Sequence, residues 1–351
     1  MMSNRLFNVL VPLLSIFFGL VAGAIIMMIY GYNPIESYVA LWKGAFGDLY
    51  FFGETLRQVT PYIFTGLAVA FAFRAGLFNI GAEGQVIAGW LAAVWIGTSI
   101  EAPSFIHIPL ALIVAALAGG LLAFVPGYLK AKLGVHEVIV TIMFNYIALY
   151  SANSIIRNIM TDHADKTEKI APTASLSSEW LQTITMYSRV HYGILIAIIA
   201  AVVMWFIIDK TTIGYEIRAV GYNKHAAHYA GMNVNKNIIL AMVISGGFAG
   251  LAGSMEGLGT FGNMSIQGGF TNLGFDGIAV ALLGANHAIG VILAAILFGS
   301  LKVGALNMPT ESGVPSELVD VIIAFIIFFV ASSYMIRWII LRFKKGGKIN
   351  D

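Results

Sequence analysis

Apolar runs long enough to cross a bilayer recur along this chain, and no other feature restricts its fold so severely. Stretches such as AVAFAFRAGL and VIAGWLAAVW follow one another through its 351 residues, 58% of which are hydrophobic and 11% charged. A soluble domain carries about a quarter charged residues. A transmembrane helix needs roughly 20 apolar residues, and in lipid every backbone N–H and C=O must be bonded within the protein. The sequence therefore predicts an all-α integral membrane protein. The absence of cysteine excludes disulfides and thiolate metal sites. The small net charge of +2, with basic residues gathered in loops, suits membrane orientation rather than nucleic-acid binding.

About ten spans are expected, near residues 9–30, 56–73, 84–100, 108–129, 137–157, 191–209, 237–257, 273–285, 288–306 and 317–340. The eighth is too short to cross alone as a regular helix. The first follows MMSNR, and Ala22-Gly23-Ala24 resembles a cleavage site. The apolar run continues through IIMMIY beyond it, so a retained helix is expected. Arg5, Lys130 with Lys132, the Lys210–Lys236 loop, and Arg342, Lys344, Lys345 and Lys348 all fall on one side with this count. By the positive-inside rule that side is cytoplasmic, with both termini inside. Residues 31–55 are then external. Asn33-Pro34 reads as a cap and first-turn proline for an amphipathic helix from Pro34 to Phe46, with Trp42 as an interfacial anchor. Residues 158–190 form an external loop, either a docking surface or simply solvated chain.

One polar stretch interrupts this pattern. FNIGAEGQ, Phe78 to Gln85, places Asn79, Glu83 and Gln85 beside Gly81 and Gly84 inside an apolar region. It has an echo: Asn79 to Gly84 and Asn272 to Gly277 share the pattern N-[IL]-G-x-[ED]-G. Two further matches follow in order, Gly127-Tyr128-Leu129-Lys130 with Gly299-Ser300-Leu301-Lys302, and Gly134–Val138 with Gly313–Leu318. Residues 56–157 and 237–340, spans 2–5 and 7–10, therefore read as repeats. They enter the membrane from opposite sides, so the repeats are inverted, a transporter signature. Glycines permit backbone that leaves the helix, and broken helix at membrane depth survives only where protein or a water-filled path covers it. Asn79, Glu83, Gln85, Asn145, Asn272 and Asp276 are the candidates for closing these breaks or lining a solute path. For Glu83 and Asp276 the closing role is favoured. Gly246, Gly250, Gly253 and Gly257 in the seventh span suit close helix packing within the bundle.

Several chemistries are missing. There is no G-x-x-x-x-G-K-[ST], no H-E-x-x-H, no G-x-S-x-G and no histidine cluster at metal spacing. The chain does not itself hydrolyse ATP, and no enzyme activity, metal or cofactor is expected. His225 and His228 read as polar surface, and Glu137 as a helix-terminus or packing residue in preference to a proton carrier.

The largest inner loop, residues 210–236, contains TTIGYEIRAVGYNKHAAHYAGMNVNK. Helix-like sequence from Tyr215 to Val220, a break at Gly221, and a second short helix from Lys224 to Ala230 capped by Asn223 and ended by Gly231 are expected. The order G-x-x-x-R-A-x-G-x-N-x-x-A-A-x-x-A-G, Gly214 to Gly231, resembles the coupling loop of permeases of bacterial ABC importers, in the branch serving sugars, branched-chain amino acids and nucleosides. Arg74 to Gln85 resembles the second-span motif of that branch. LWKGAFG (Leu41–Gly47), TPYIFTGLAVAFAFRAGLFNIGAEGQ and SGGFAGLAGSMEGLG (Ser245–Gly259) resemble most closely the larger permease of its nucleoside importers. The similarity runs from about residue 34 to 335.

That resemblance implies a permease in the bacterial cell membrane, paired with a second homologous permease chain. It implies ABC ATPase subunits docked beneath Gly214, Arg218, Gly221, Asn223, Ala226, Ala227 and Gly231, and an extracellular substrate-binding lipoprotein. Each permease would form half of the path. Asn79, Gln85, Asn145, Tyr146 and Asn272 would suit a nucleoside, and a sugar as well. An ion-coupled secondary transporter using Glu83, Asp276 or Glu137 is the competing class.

Overall fold

The computed structural model describes residues 4–332 of the chain. Its described residues form an all-α bundle with two isolated β-bridges and no longer strand. Helix α1 (Asn4–Ile29) is followed by α2 (Pro34–Phe46), α3 (Leu49–Arg74), α4 (Ala82–Ser99), α5 (Ser104–Leu133) and α6 (Glu137–Ile155). Then come α7 (Glu179–Ile184), α8 (Gly193–Lys210), α9 (Thr212–Tyr222), α10 (Lys224–Tyr229) and α11 (Val234–Met255). The bundle closes with α12 (Leu273–Leu283), α13 (Ala288–Ala305), α14 (Met308–Ser312) and α15 (Glu317–Ala331). A π-turn extends α6 over Ile156–Met160, and another extends α11 over Glu256–Phe261.

Among the described residues, 7 helices are long and apolar enough to cross a membrane. They are α1, α3, α8, α13, α5, and α6 and α11 with their π-turns. Each of the three remaining expected spans is also a helix. The start of α4 carries Glu83 and Gln85, α12 is an 11-residue apolar helix, and α15 is described only to Ala331. The expected residues 333–340 of the last span, and Arg342, Lys344, Lys345 and Lys348, lie outside the described residues. Helix α1 packs on the last helix: Gly19 and Gly23 of α1 lie directly against Ile326 and Ile322 of α15. A side chain at either position would collide with those isoleucines.

Helix α3 is the hub. Over the most apolar 18 residues of each helix, the share buried is 83% for α3 but only 28% for α5 and 33% for α6 and α8. The apolar outer faces of those three helices are therefore free for lipid or a second chain. The seventh-span glycines work as packing residues within the bundle. Gly246 and Gly250 seat on α5 at Gly119 and Ala115, and Gly253 on α4 at Val86.

The local signals near α2 read as expected. The Asn33 side chain accepts from the Ile35 backbone N–H at 3.0 Å and caps α2. Its small face, with Leu41 and Gly44, packs on Gly304 of α13, while Ile35, Val39 and Trp42 remain exposed. Residues 158–192 differ from a solvated loop. They lie across the ends of α4 and α11, with Ala171 N–H donating to Gly97 O (2.8 Å), Leu176 N–H to Leu258 O (2.9 Å) and Ile170 N–H to Gly262 O (2.9 Å). Ile170, Ala174, Leu176 and Val190 are buried beneath this cap.

Candidate translocation site

After α3 the chain doubles back. Gly76 adopts φ +70°, which glycine takes at little cost, and residues 75–81 return into the bundle before α4 begins at Ala82. The same event follows α11. Gly262 adopts φ +66°, and residues 263–272 return to start α12 at Leu273. The two N-[IL]-G-x-[ED]-G motifs are thus two helix starts rather than kinks within helices, and they meet. A Cβ on Gly274 would lie 2.5 Å from Glu83 Cα and overlap its backbone nitrogen, so only glycine allows this approach. The junction sits beside the middle of α3, where Gly277 packs on Thr65.

Glu83 is fully buried and holds the two starts together. Its Oε1 accepts from Thr271 N (2.6 Å), Thr271 Oγ1 (2.7 Å) and Asn272 N (2.9 Å), and its Oε2 from Gly274 N (2.7 Å). A carboxylate in the first turn of α4 therefore satisfies the free N–H groups at the start of α12, where the helix dipole favours negative charge. Asn272 stands at φ +66°, a left-handed conformation that asparagine tolerates, with its side chain exposed.

The polar neighbours close the first return. Asn79 donates from Nδ2 to Gln85 Oε1 and Ser245 Oγ, both at 2.8 Å, while its Oδ1 accepts from Gly81 N at 3.1 Å. Ser245 Oγ in turn donates to the Ala68 carbonyl at 2.6 Å. Asn145 accepts from Gly84 N (2.8 Å) and donates to Ile80 O (3.0 Å). These groups are buried and partnered, as buried polar atoms must be. Of the six candidates, Asn79, Glu83, Gln85, Asn145 and Asn272 gather at this junction. Asp276 does not: it faces α3 and α13, accepting from Tyr62 OH at 2.8 Å and lying 3.5 Å from Lys302 Nζ.

The inner-loop residues form a second group. The Asn223 side chain accepts from His225 N (3.0 Å) and Ala226 N (3.1 Å), capping α10, and Gly231 ends the segment at φ +81°. The expected break at Gly221 is corrected: α9 runs through it and ends at Tyr222, and the chain breaks at Asn223. Gly221 is small because a Cβ there would overlap the carbonyl oxygen of Arg74. Arg74 Nε also donates to Asn286 O at 2.9 Å. The α9 helix thus touches the turn that leads back to Glu83. Arg218 turns towards Gly214 O (3.4 Å) and Asp209 (3.5 Å), Ala227 is buried, and Ala226 is exposed. Glu137 pairs with Lys130 at 2.6 Å across the α5–α6 turn, a terminus contact.

A cavity of about 380 Å³ opens on the other side of the junction, beneath the 158–192 cap. Its wall includes Arg57, Gln58, Trp90, Glu256 and Phe261, with Thr271, the residue bonded to Glu83, among the lining residues. The Trp90 and Phe261 rings stack at 5.4 Å and 13°. Trp90 Nε1 donates to Asn263 O at 3.0 Å, which fixes the indole against the returning chain. Arg57 and Arg189 both bind Glu54, at 2.9 and 2.8 Å, and the carboxylate raises the Arg189 pKa. A polar cleft of about 460 Å³ under the cap shares Arg189 and Phe261 with the cavity, so these two residues stand between them. None of the six candidate residues lines the 380 Å³ cavity. The signal that finds its wall is Arg57 and Glu256: charged residues inside apolar runs are functional candidates by default.

Residues 51–331 match the family described as the branched-chain amino acid transport system/permease component. The chain belongs to that permease family. It is 63% identical over 346 residues to the guanosine ABC transporter permease protein NupP of Bacillus subtilis strain 168, covering 99% of each chain. It is 44% identical over 343 residues to the nucleoside ABC transporter permease protein NupB of Lactococcus lactis, covering 96% of this chain and 94% of that one. The glucose ABC transporter permease protein TsgB13 of Haloferax volcanii is 31% identical over 331 residues, covering 92% and 87%. No solved structure gives a significant match.

Proposed function

We propose that this chain is a permease subunit of an ATP-driven ABC importer for nucleosides. It would form half of the translocation path, in the bacterial plasma membrane with both termini cytoplasmic. The observation that carries this reading is its end-to-end identity of 63% with a guanosine ABC transporter permease. The match to a glucose permease is far weaker, at 31%, and makes a sugar the second reading.

The geometry supports the division of labour. Ten spans and two inverted repeats give α4 and α12 opposite directions, so their starts meet head to head inside the bundle, with Asn79, Glu83, Gln85 and Asn145 holding them there. The α9–α10 pair, from Gly214 to Gly231, docks the ATPase subunits, presenting the exposed rings of Tyr215, Tyr222 and Tyr229. Gly221 against Arg74 then passes movement of that pair to the α3–α4 turn. A second, homologous permease covers part of the exposed α5, α6 and α8 faces. A binding lipoprotein delivers solute over the 158–192 cap. The path runs through the cleft and the 380 Å³ cavity, which is within the range of about 300–1,000 Å³ for small-molecule sites.

The test is uptake by the chain reconstituted in vesicles with its second permease, ATPase and binding protein. ATP-dependent accumulation of labelled guanosine, undiminished by excess glucose, is expected. Preferential glucose uptake, or proton-driven uptake by the chain alone, overturns the reading.

A further inference from the structure

The lining of the 380 Å³ cavity contains one group that the fold leaves unpartnered. Glu256 begins the π-turn of α11, is 4% exposed, and its Oε1 has no hydrogen-bond partner among the described residues. Neither nearby guanidinium donates to it: the hydrogen bonds of Arg57 go to Glu54 and Gln58, and those of Arg189 to Glu54. A buried acceptor without a donor is costly, and a native structure holds one where something else supplies the donor. Taken with Glu54, the two arginines and two carboxylates around the cavity sum to no net charge, which favours an uncharged occupant.

The π-turn also supplies the wall. Phe261 ends the turn that Glu256 begins. Trp90 is 6% exposed and lies behind the Phe261 ring, which is 48% exposed. One face of a planar ring is therefore available for stacking, an interaction that tolerates any base or sugar ring face. Gly257 allows this arrangement, since a Cβ there would come within 2.9 Å of Trp90 Cδ1.

We infer that Glu256 contacts the transported solute, accepting hydrogen bonds from two adjacent donors on a neutral, ring-bearing molecule stacked on Phe261. The inference rests on the nucleoside reading above. Two parts of a nucleoside offer such a donor pair, the amide-and-amine edge of guanine and the vicinal hydroxyls of ribose.

Removing the acceptor and removing the donor separates these sources, because an interaction lost twice is lost only once in energy. The complete reconstituted importer, wild type and Glu256→Gln, is supplied with guanosine, inosine (no 2-amino group) or 2′-deoxyguanosine (no 2′-hydroxyl). Initial uptake rates are read at saturating solute-loaded binding protein. Glu256→Gln should lower guanosine uptake about ten-fold, as loss of a hydrogen bond to a charged group does. The penalty should fall to less than about two-fold for the analogue that lacks the contacted donor. A collapse with inosine assigns the base edge, and a collapse with 2′-deoxyguanosine assigns the ribose. Equal penalties for all three nucleosides, or none, overturn the contact. A wild-type complex that moves none of them overturns the nucleoside reading itself. Assembly is checked by size exclusion, and Glu256→Asp, which keeps the charge but withdraws the oxygens, carries the test if the glutamine variant does not assemble.

Discussion

The two N-[IL]-G-x-[ED]-G motifs share a pattern and both start a helix, yet their acids do different things. Glu83 accepts four hydrogen bonds from the start of the other motif's helix, three of them from backbone N–H groups. Asp276 reaches instead to Tyr62 and Lys302 on neighbouring helices, and remains partly exposed. The first acid holds the junction; the second anchors one side of α12. A motif repeated in sequence thus fixes where helices begin without fixing what its side chains bind. Glu83 caps the start of α12, but Asp276 does not cap the start of α4, because its oxygen is taken by Tyr62 and Lys302.

The largest effect should come from Glu83→Ala. It strands three backbone N–H groups and the Thr271 hydroxyl, all of which donate to that carboxylate, a loss of about 3–5 kcal/mol. The melting temperature of the detergent-solubilised chain should drop by roughly 10 °C. A drop equal to that of Asp276→Ala would erase the difference between the motifs.

The third position of each motif gives the next contrast. On Gly274 a new Cβ meets the backbone of Glu83, which cannot rotate away. On Gly81 it meets Gln85 Nε2 at 3.0 Å, and Asn79 Oδ1 and Thr141 Cβ at 3.1 Å, looser contacts with side-chain atoms rather than backbone. Gly274→Ala should cost about 2–3 kcal/mol and Gly81→Ala about 1 kcal/mol or less, measured by thermal unfolding in detergent. Equal costs would mean that the two starts are interchangeable.

Much of this was legible in the sequence, and the reasons differ by region. Long apolar runs dictate helices whatever their partners, so α3, α5, α8 and α11 lie where hydropathy puts them. Asn33 and Asn223 were readable as caps because capping is a local contact. The return of the chain at Asn79 to Gly84 was readable from glycine and amide residues placed where lipid forbids them. That the two motifs touch was not readable, because contact between residues 83 and 274 depends on how every intervening helix packs. The cavity wall was missed for a related reason: Trp90 looks like an ordinary span residue and Phe261 like an ordinary connecting residue until their segments are brought together. Glu256 and Arg57 were the exceptions, since a charge inside an apolar run is visible in sequence alone. Gly221 was misplaced as a helix break because glycine also serves close packing, and only the carbonyl of Arg74 beside it distinguishes the two uses.

The smallest expected effect decides most about function. Asp276→Asn keeps an oxygen to accept from Tyr62, and Lys302 keeps Asp320 at 2.7 Å, so neither partner is stranded. The pair is partly solvated, and its loss should cost about 1 kcal/mol or less in thermal unfolding. Glu83 has no such substitute, since every donor it binds has only that carboxylate. Uptake measured in the same variant then separates two roles that stability cannot. If Asp276→Asn leaves both stability and nucleoside uptake near wild type, the acid is an anchor for α12. If it spares stability but abolishes uptake, then Asp276 works on the path and the second motif, not the first, carries the transport step. The contrast between the motifs would hold in either case, but its meaning would reverse: one motif built to hold the bundle, the other to act on what passes through it.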